Sequence, residues 1–154
     1  MSSLSGLGNP EIDEKDLKIL RILSKNARVP FSEIAREVEL SDVAVMKRVR
    51  KLEQLGIIKK YTILVDPRKL GFKSISITGI DVEPEYLFSV VDKLRSMPNV
   101  KFLAITSGDH SIMTIIWARD SDEISKIHEE LSKIRGVKRV CPAIVLDVIK
   151  DETL

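Results

Sequence analysis

Basic side chains are concentrated in one short stretch of this chain, residues 41–60. Six lysines and arginines face two acidic residues there, a local excess of +4, whereas all 154 residues together carry +2. The six are Lys47, Arg48, Arg50, Lys51, Lys59 and Lys60. An excess of cations confined to one segment indicates an anionic partner at that place.

A helix predicted over residues 42–55 positions most of these cations. Ser41 is a good N-cap for it, and Gly56 would end it. At about 100° per residue, the core face holds Val45, Val49 and Leu52, and Arg48 lies on a flank. The side opposite the core carries Val43, Ala44, Lys47, Arg50, Lys51 and Gln54. Such a surface offers cations to phosphates, a glutamine to base edges and small apolar groups to thymine methyls; the alternative is an ordinary solvated helix face.

The residues before this helix favour the DNA-binding interpretation. Residues 13–26 are predicted to form a first helix capped by Asp13, and residues 31–38 a short second one with Ser32 as a possible cap. A turn over 39–41 follows. A short helix, a tight turn and a longer helix form the helix-turn-helix pattern, whose last helix enters the major groove.

The segment after Gly56, IIKKYTILVDP, predicts a strand-rich wing. It is rich in β-branched residues and closes with the turn signal Asp-Pro. Lys59 and Lys60 would approach the DNA backbone from this wing. Solvated lysines at a strand start are the alternative for these two residues.

The second half of the chain alternates between strand and helix patterns. The predicted order is a strand over 74–82, a helix from Pro84 to near Met97, strands over 100–107 and 111–118, a helix from Asp120 to Gly136, and a strand over 138–149. This β-α-β-β-α-β order is the ferredoxin-like pattern, so the predicted fold class is α+β. The strands carry apolar residues on both faces. Two helices cover only one face of a four-stranded sheet, so a second copy of the chain is expected to cover the other.

Two segments resemble the Lrp/AsnC ("feast/famine") transcriptional regulators, and the resemblance covers about residues 11–150. The first is LSDVAVMKRVRKLEQLGIIKKYTILVDPRKLG, and the second is ITSGDHSIMTIIWA. The resemblance implies a winged helix-turn-helix followed by a RAM-type ferredoxin-like domain. It also implies homodimers that assemble into tetramers or octamers, bind operator DNA, and bind amino acids or related metabolites between the C-terminal domains. The lysine- and isoleucine-rich composition resembles an archaeal member.

The turn in the second segment is the candidate effector site. Polar groups gather there inside an apolar sheet, and Gly108 allows backbone N–H groups to turn toward a carboxylate. The predicted effector-binding residues are Thr106, Ser107, Gly108, Asp109, His110 and Thr114. Asp109 would pair with an α-ammonium group, and a plain hairpin turn is the alternative. Where family members often have Gly-Asp-Tyr-Asp, this chain has Gly-Asp-His-Ser, and Pro142 stands where a threonine is common.

Other chemistry is not indicated. One cysteine, Cys141, and two histidines give no metal-ligand spacing, so we predict no metal and no cofactor. His128 is expected to be a partly buried packing residue. There is no catalytic triad, phosphate loop or dinucleotide motif, so the chain is not predicted to be an enzyme. No apolar run is long enough to span a membrane. The single cysteine fits a reducing cytoplasm, where we expect the protein to associate with the nucleoid.

The predicted organisation is a flexible tail over 1–10, a winged helix-turn-helix over 11–66, a linker over 67–72 and a ferredoxin-like effector and assembly domain over 73–154. The leading function is a sequence-specific regulator that binds double-stranded DNA under the influence of an amino acid. Two alternatives remain: an enzyme similar to the sirohaem decarboxylases, which resemble this family, and an architectural DNA binder without sequence preference.

Overall fold

A computed structural model describes residues 11–152 and 154, so the tail predicted over 1–10 lies outside the described residues. The chain divides into two compact units. One ends at Leu64 and takes in Lys150–Leu154, and the other is Val65–Ile149. Among the described residues, no helix has the length and apolarity needed to cross a membrane.

The first unit contains three helices, α1 (Glu14–Lys25), α2 (Phe31–Val38) and α3 (Asp42–Gln54). Helix α1 begins with a capping box, in which Asp13 accepts from the Asp16 backbone N–H at 2.9 Å and Asp16 accepts from that of Asp13 at 3.0 Å. Ser41 caps α3 by accepting from the Ala44 N–H at 3.1 Å. The predicted cap at Ser32 is wrong, because the N-cap position of α2 is Pro30 and no side chain caps it.

The three helices share one apolar core. Its fully buried centre contains Ile19 of α1, Ile34 of α2 and Val45 of α3. Val49 and Leu52 are also buried, at 2% and 0% exposure, so the predicted core face of α3 is confirmed. Because this face is fixed by packing, the opposite side of α3 must point to solvent.

The predicted wing is not present among the described residues. Residues 57–66 form no strand, and the apolar side chains of Ile63 and Leu64 are 79% and 70% exposed. A strand forms only where a neighbouring backbone accepts and donates its hydrogen bonds. The β-branched residues of this segment favour a strand locally, but they give no information about a pairing partner.

The second unit is a four-stranded antiparallel sheet with two helices. Its elements are β1 (Ser74–Val82), a short 3₁₀ turn (Pro84–Tyr86), α4 (Leu87–Ser96), β2 (Val100–Ile105), β3 (Ile112–Ala118), α5 (Ser121–Ser132) and β4 (Val137–Ile144). The strand order is β2-β3-β1-β4. This is the predicted ferredoxin-like arrangement of an α+β fold.

The two helices pack on one face of the sheet. Ile80 of β1 and Ile112 of β3 lie in one buried cluster with Val90 of α4 and Leu131 of α5. Residues of opposite parity along the strands point to the other face. That face is apolar and only partly covered within this unit; Phe102, for example, is 52% exposed.

The last strand is shorter than predicted. Strand β4 ends at Ile144, and the apolar Leu146 and Ile149 beyond it are 84% and 89% exposed. Pro142 lies on β4, which is an edge strand of the sheet. An edge tolerates a residue that cannot donate a ladder hydrogen bond, as the sequence indicated.

Candidate nucleic-acid interface and ligand site

Four exposed side chains form a stripe along α3. Val43, Lys47, Arg50 and Gln54 are all exposed, and Val43 is 55% exposed although it is apolar. Their spacing of four, three and four residues places them within one narrow arc of a helix that turns about 100° per residue. Within the described part of the chain, the side chains of Lys47 and Arg50 form no hydrogen bond or ion pair. The stripe therefore presents two free cations, an amide and an apolar group to solvent.

Two other predicted DNA contacts, Arg48 and Lys51, form ion pairs with acidic side chains of this unit, which corrects the expectation that Lys51 projects freely from α3. Lys51 Nζ lies 2.9 Å from Asp16 Oδ2 and also donates to the Glu11 carbonyl at 2.7 Å. Arg48 Nη1 lies 2.9 Å from Asp16 Oδ1 and 2.7 Å from Asp13 Oδ2. The reason is the side chain of Asp16, which is fully buried and needs cationic partners.

These contacts determine the ionisation of the acidic side chains. Burial alone would raise the pKa of Asp16, but hydrogen bonds from Lys51, the Asp13 N–H and Arg48 hold that pKa below its ordinary value of 3.8. The pKa of Asp13 is also lowered, chiefly by the Asp16 N–H. Both carboxylates therefore remain negative and keep Arg48 and Lys51 in place on this side of α3.

The remaining predicted DNA contacts fall into two groups. The Ser41 hydroxyl is used as the cap of α3, and Ala44 is half-buried beside it. Lys59 and Lys60 are exposed in the segment that follows α3. A DNA-binding role for each of these residues remains a prediction.

The predicted effector turn borders a small cavity in the second unit. Gly108 adopts a φ of 102°, which lets the chain reverse direction, and the Thr106 hydroxyl donates to the His110 carbonyl at 2.7 Å. The cavity has a volume of 240 Å³. It is lined by Val82, Pro84, Leu87, Ile105, Thr106, Ser107, Gly108, His110 and Ser111. Four of the six predicted effector residues thus share one concave surface, whose lining contains both apolar and polar side chains.

The other two predicted effector residues are placed elsewhere. Asp109 is exposed and is not among the residues that line the cavity. Thr114 is fully buried on the helix-covered face of the sheet, where its hydroxyl donates to the Phe102 carbonyl at 2.7 Å. The expectation that Thr114 offers a hydrogen bond to a ligand is therefore wrong, because alternation along β3 points it into the core.

A second polar cluster joins the effector turn to the sheet. His110 Nδ1 lies 2.8 Å from Asp81 Oδ1, and Arg139 Nε lies 2.8 Å from Asp81 Oδ2. The hydrogen bond from His110, assisted by Arg139, lowers the pKa of Asp81. The thiol of Cys141 lies close by, so that ligand atoms of Asp81, His110 and Cys141 are all within 4.8 Å of one another. The spacing of ligand-type residues along the sequence does not predict this cluster, because its members come from three separate segments.

The second histidine is part of a buried network under α5. His128 Nε2 lies 3.1 Å from Ser76 Oγ and 3.0 Å from Thr78 Oγ1, and these two hydroxyls are 3.0 Å apart. Burial lowers the pKa of His128 below its ordinary value of 6.5. His128 is partly buried, as the sequence indicated, and also hydrogen-bonded to the sheet.

Comparison with known proteins identifies both units. Residues 12–53 match the AsnC-type helix-turn-helix domain, and residues 75–154 match the Lrp/AsnC ligand binding domain. The chain belongs to the Lrp/AsnC family. Lrp/AsnC proteins that match it are HTH-type transcriptional regulators with a ligand-binding domain.

Individual relatives agree with this assignment. The chain is 51% identical over 140 residues to the HTH-type transcriptional regulator LrpA of Pyrococcus horikoshii, covering 90% of this chain and 99% of the relative. The solved structure of E. coli AsnC is 29% identical, has a TM-score of 0.84, and covers 93% of this chain and 97% of its own. The L-Met complex of the Neisseria meningitidis regulator NMB0573 has the same fold, with a TM-score of 0.85 at 23% identity; it covers 92% of this chain and 94% of its own. The names of the closely similar relatives are consistent with a regulator and not with an enzyme.

Proposed function

We propose that this Lrp/AsnC protein is a sequence-specific regulator that binds duplex DNA as a dimer and responds to a small amino acid. The observation that carries the proposal is the exposed stripe of α3. A helix fixed by its apolar face and presenting Val43, Lys47, Arg50 and Gln54 has the dimensions and chemistry to enter a major groove.

Each member of the stripe has a distinct contact to offer. Arg50 suits bidentate donation to guanine, and Gln54 suits adenine. Val43 suits a thymine methyl, and Lys47 suits a phosphate or a guanine. Lys59 and Lys60 add backbone contacts beside α3. In this proposal Arg48 and Lys51 act mainly by holding α1 against α3, because Asp16 occupies them.

The uncovered sheet face supports a dimer. Ile77 and Phe102 are 45% and 52% exposed on this face, and Ile115 and Trp117 lie beside them. An apolar sheet face of this kind is usually covered in the working protein. A second copy, stacked sheet to sheet, would cover it and present two α3 helices, so a pseudo-palindromic operator is expected. Further assembly into tetramers or octamers would let several half-sites be bound at once.

The 240 Å³ cavity is the proposed effector site. Ligand pockets for drug-sized molecules span about 300–1,000 Å³, so this volume suits a molecule as small as one amino acid. The turn at Gly108 supplies backbone groups and His110 supplies an imidazole, while Leu87 and Ile105 supply an apolar wall. The effector acts only if it binds one assembly or DNA-competent state better than another.

Selection of bound sequences from a random duplex pool tests the proposal. We expect a pseudo-palindromic consensus whose recovery changes when one amino acid of a complete panel is added. A specificity ratio near one at physiological salt would instead establish an architectural DNA binder. Size-exclusion chromatography with light scattering tests the assembly, and a monomer at micromolar concentration would contradict the dimer.

A further inference from the structure

The His110 imidazole lies in a place where the sheet lacks a side chain. Gly79 on β1 is paired with Met113 on one side and with Cys141 on the other. A Cβ atom at position 79 would come within 2.2 Å of His110 Cδ2 and within 2.6 Å of its Nε2. Because Gly79 has no side chain, the imidazole ring of His110 can occupy the space above it. This space lies next to Cys141, the residue paired with Gly79 on β4.

Three side chains with metal-binding atoms converge at this point. Asp81 lies two residues beyond Gly79 on the same face of β1, Cys141 lies opposite Gly79 on β4, and His110 comes from the turn between β2 and β3. A carboxylate oxygen, an imidazole nitrogen and a thiol sulfur all lie within 4.8 Å of one another. We propose that Asp81, His110 and Cys141 form a binding site for a divalent transition metal of the zinc type.

The donor set selects the class of metal. Sulfur and imidazole nitrogen favour zinc and related transition metals, whereas magnesium and calcium require oxygen ligands. Zinc bonds of about 2.0–2.3 Å in a tetrahedron place ligand atoms about 3.3–3.6 Å apart, so a movement of about 1 Å closes the site. Three protein ligands leave a fourth position for water or an external donor, an arrangement found in zinc sites that act on or bind other molecules.

Arg139 sets the strength of this site. Its Nε holds Asp81 Oδ2 at 2.8 Å and leaves Oδ1 facing His110. The guanidinium charge repels a cation and competes for the carboxylate. Its side chain is 65% exposed and can move away. The variant Arg139→Gln is therefore expected to bind the metal about tenfold more tightly, because it removes the charge and leaves an uncharged polar side chain.

Cobalt(II) is the probe for a direct test on the full chain. Cys141 is the only cysteine, so a thiolate-to-cobalt charge-transfer band in the near ultraviolet reports this residue alone. We expect the band to saturate at one cobalt per chain and to disappear on addition of zinc. Cys141→Ser should abolish it, and His110→Gln or Asp81→Asn should each weaken cobalt binding at least about tenfold.

The other histidine provides the matched control. His128→Gln makes the same chemical change outside the cluster and should leave cobalt affinity unchanged, with circular dichroism confirming that each variant is folded. Zinc should also raise the Tm of the wild-type protein and leave that of Cys141→Ser unchanged, which gives a readout independent of the band. The proposal is overturned if no band forms with cobalt in excess. It is equally overturned if the band keeps its full strength in both His110→Gln and Asp81→Asn, since Cys141 alone would then bind the ion.

Discussion

Lys51 on the proposed recognition helix lies 2.9 Å from the carboxylate of Asp16, a side chain with no exposed surface. The contact joins α3 to α1, and Arg48 reinforces it from one turn earlier. The charge pattern of the sequence predicts that Arg48 and Lys51 bind DNA, but in the structure both form ion pairs that hold α3 against α1. The exposed stripe of α3 owes its orientation in part to them, because they fix how α3 lies against α1.

Replacing the buried carboxylate tests this role. Asp16→Asn keeps the shape of the side chain but removes the charge that Arg48 and Lys51 face. We expect Asp16→Asn to lower the free energy of unfolding by about 1–3 kcal/mol. This is less than the loss for breaking a fully buried ion pair, because Arg48 and Lys51 are partly exposed and can turn to water. Urea unfolding monitored by circular dichroism measures it.

Asp13→Asn is the matched control for this experiment. Asparagine caps a helix as well as aspartate does, and the Asp13 side chain is 55% exposed. We expect a loss of less than about 1 kcal/mol. Equal losses in the two variants would show that the buried position of Asp16 has no special importance.

The same carboxylate should shape stability in acid. The pKa of Asp16 is lower in the folded protein than its ordinary value of 3.8, so folded protein binds fewer protons than unfolded protein in that range. Its stabilising contribution is complete above pH 3.8 and is lost as the pH falls through the lower, folded pKa. Denaturant titrations at several pH values should show a flatter acid limb for Asp16→Asn. Superimposable limbs for variant and wild type would contradict the assignment.

Charge removal at different points of α3 separates DNA contacts from structural contacts. Lys47→Ala and Arg50→Ala should each weaken operator binding and reduce the slope of log affinity against log salt by about one. Lys51→Ala should instead lower unfolding stability and leave the slope nearly unchanged. Fluorescence anisotropy over a range of salt concentrations measures both quantities. If Lys51→Ala reduced the slope as much as Lys47→Ala, the proposal that Lys47 contacts DNA while Lys51 holds α3 against α1 would be refuted.

The sequence predicted whole elements well and their partners poorly. Helix α2 and strand β1 begin and end where periodicity and breakers placed them, because these signals are local. The described residues contain neither the wing predicted over 57–66 nor the predicted extension of β4 past Ile144. A strand forms only beside a neighbouring strand, and the periodicity of the sequence does not reveal that neighbour. The ion pairs of Asp16 were missed for the same reason, since they join residues more than thirty positions apart.

The candidate site shows the same limit. Thr106, Gly108 and His110 could be grouped from the sequence because they belong to one short run, 106–110, at a turn, and all three line the cavity. Asp81 and Cys141 were not associated with His110, because only the strand register brings them together. One available sign was Gly79, an isolated glycine within a strand pattern, which often indicates a close approach of another group.

His128 should make stability sensitive to pH near neutrality. Burial lowers its pKa in the folded protein, so unfolded protein binds more protons below pH 6.5. The free energy of unfolding should fall as the pH drops below 6.5, by at most about 1.4 kcal/mol per pH unit. His128→Gln keeps a hydrogen-bonding group near Ser76 and Thr78 and should remove this dependence. Denaturant titrations between pH 5 and pH 8 would contradict the assignment if both proteins gave the same slope.

Adding one methyl group at Gly79 should displace the imidazole of His110. The new Cβ atom would meet His110 Cδ2 at 2.2 Å, and the ring, part of a side chain with 24% exposure, would have to swing away from Asp81. We expect Gly79→Ala to lower the free energy of unfolding by about 1 kcal/mol. This is at the low end for an overpacked core, because the obstructing group is a ring that can move. NMR should show the pKa of the Asp81 carboxyl rising as its hydrogen bond from His110 is lost. The control is a double-mutant cycle: in a His110→Ala background the obstructing ring is absent, so the same glycine substitution should cost almost nothing. An equal cost in both backgrounds would mean that position 79 requires glycine for a reason unrelated to His110.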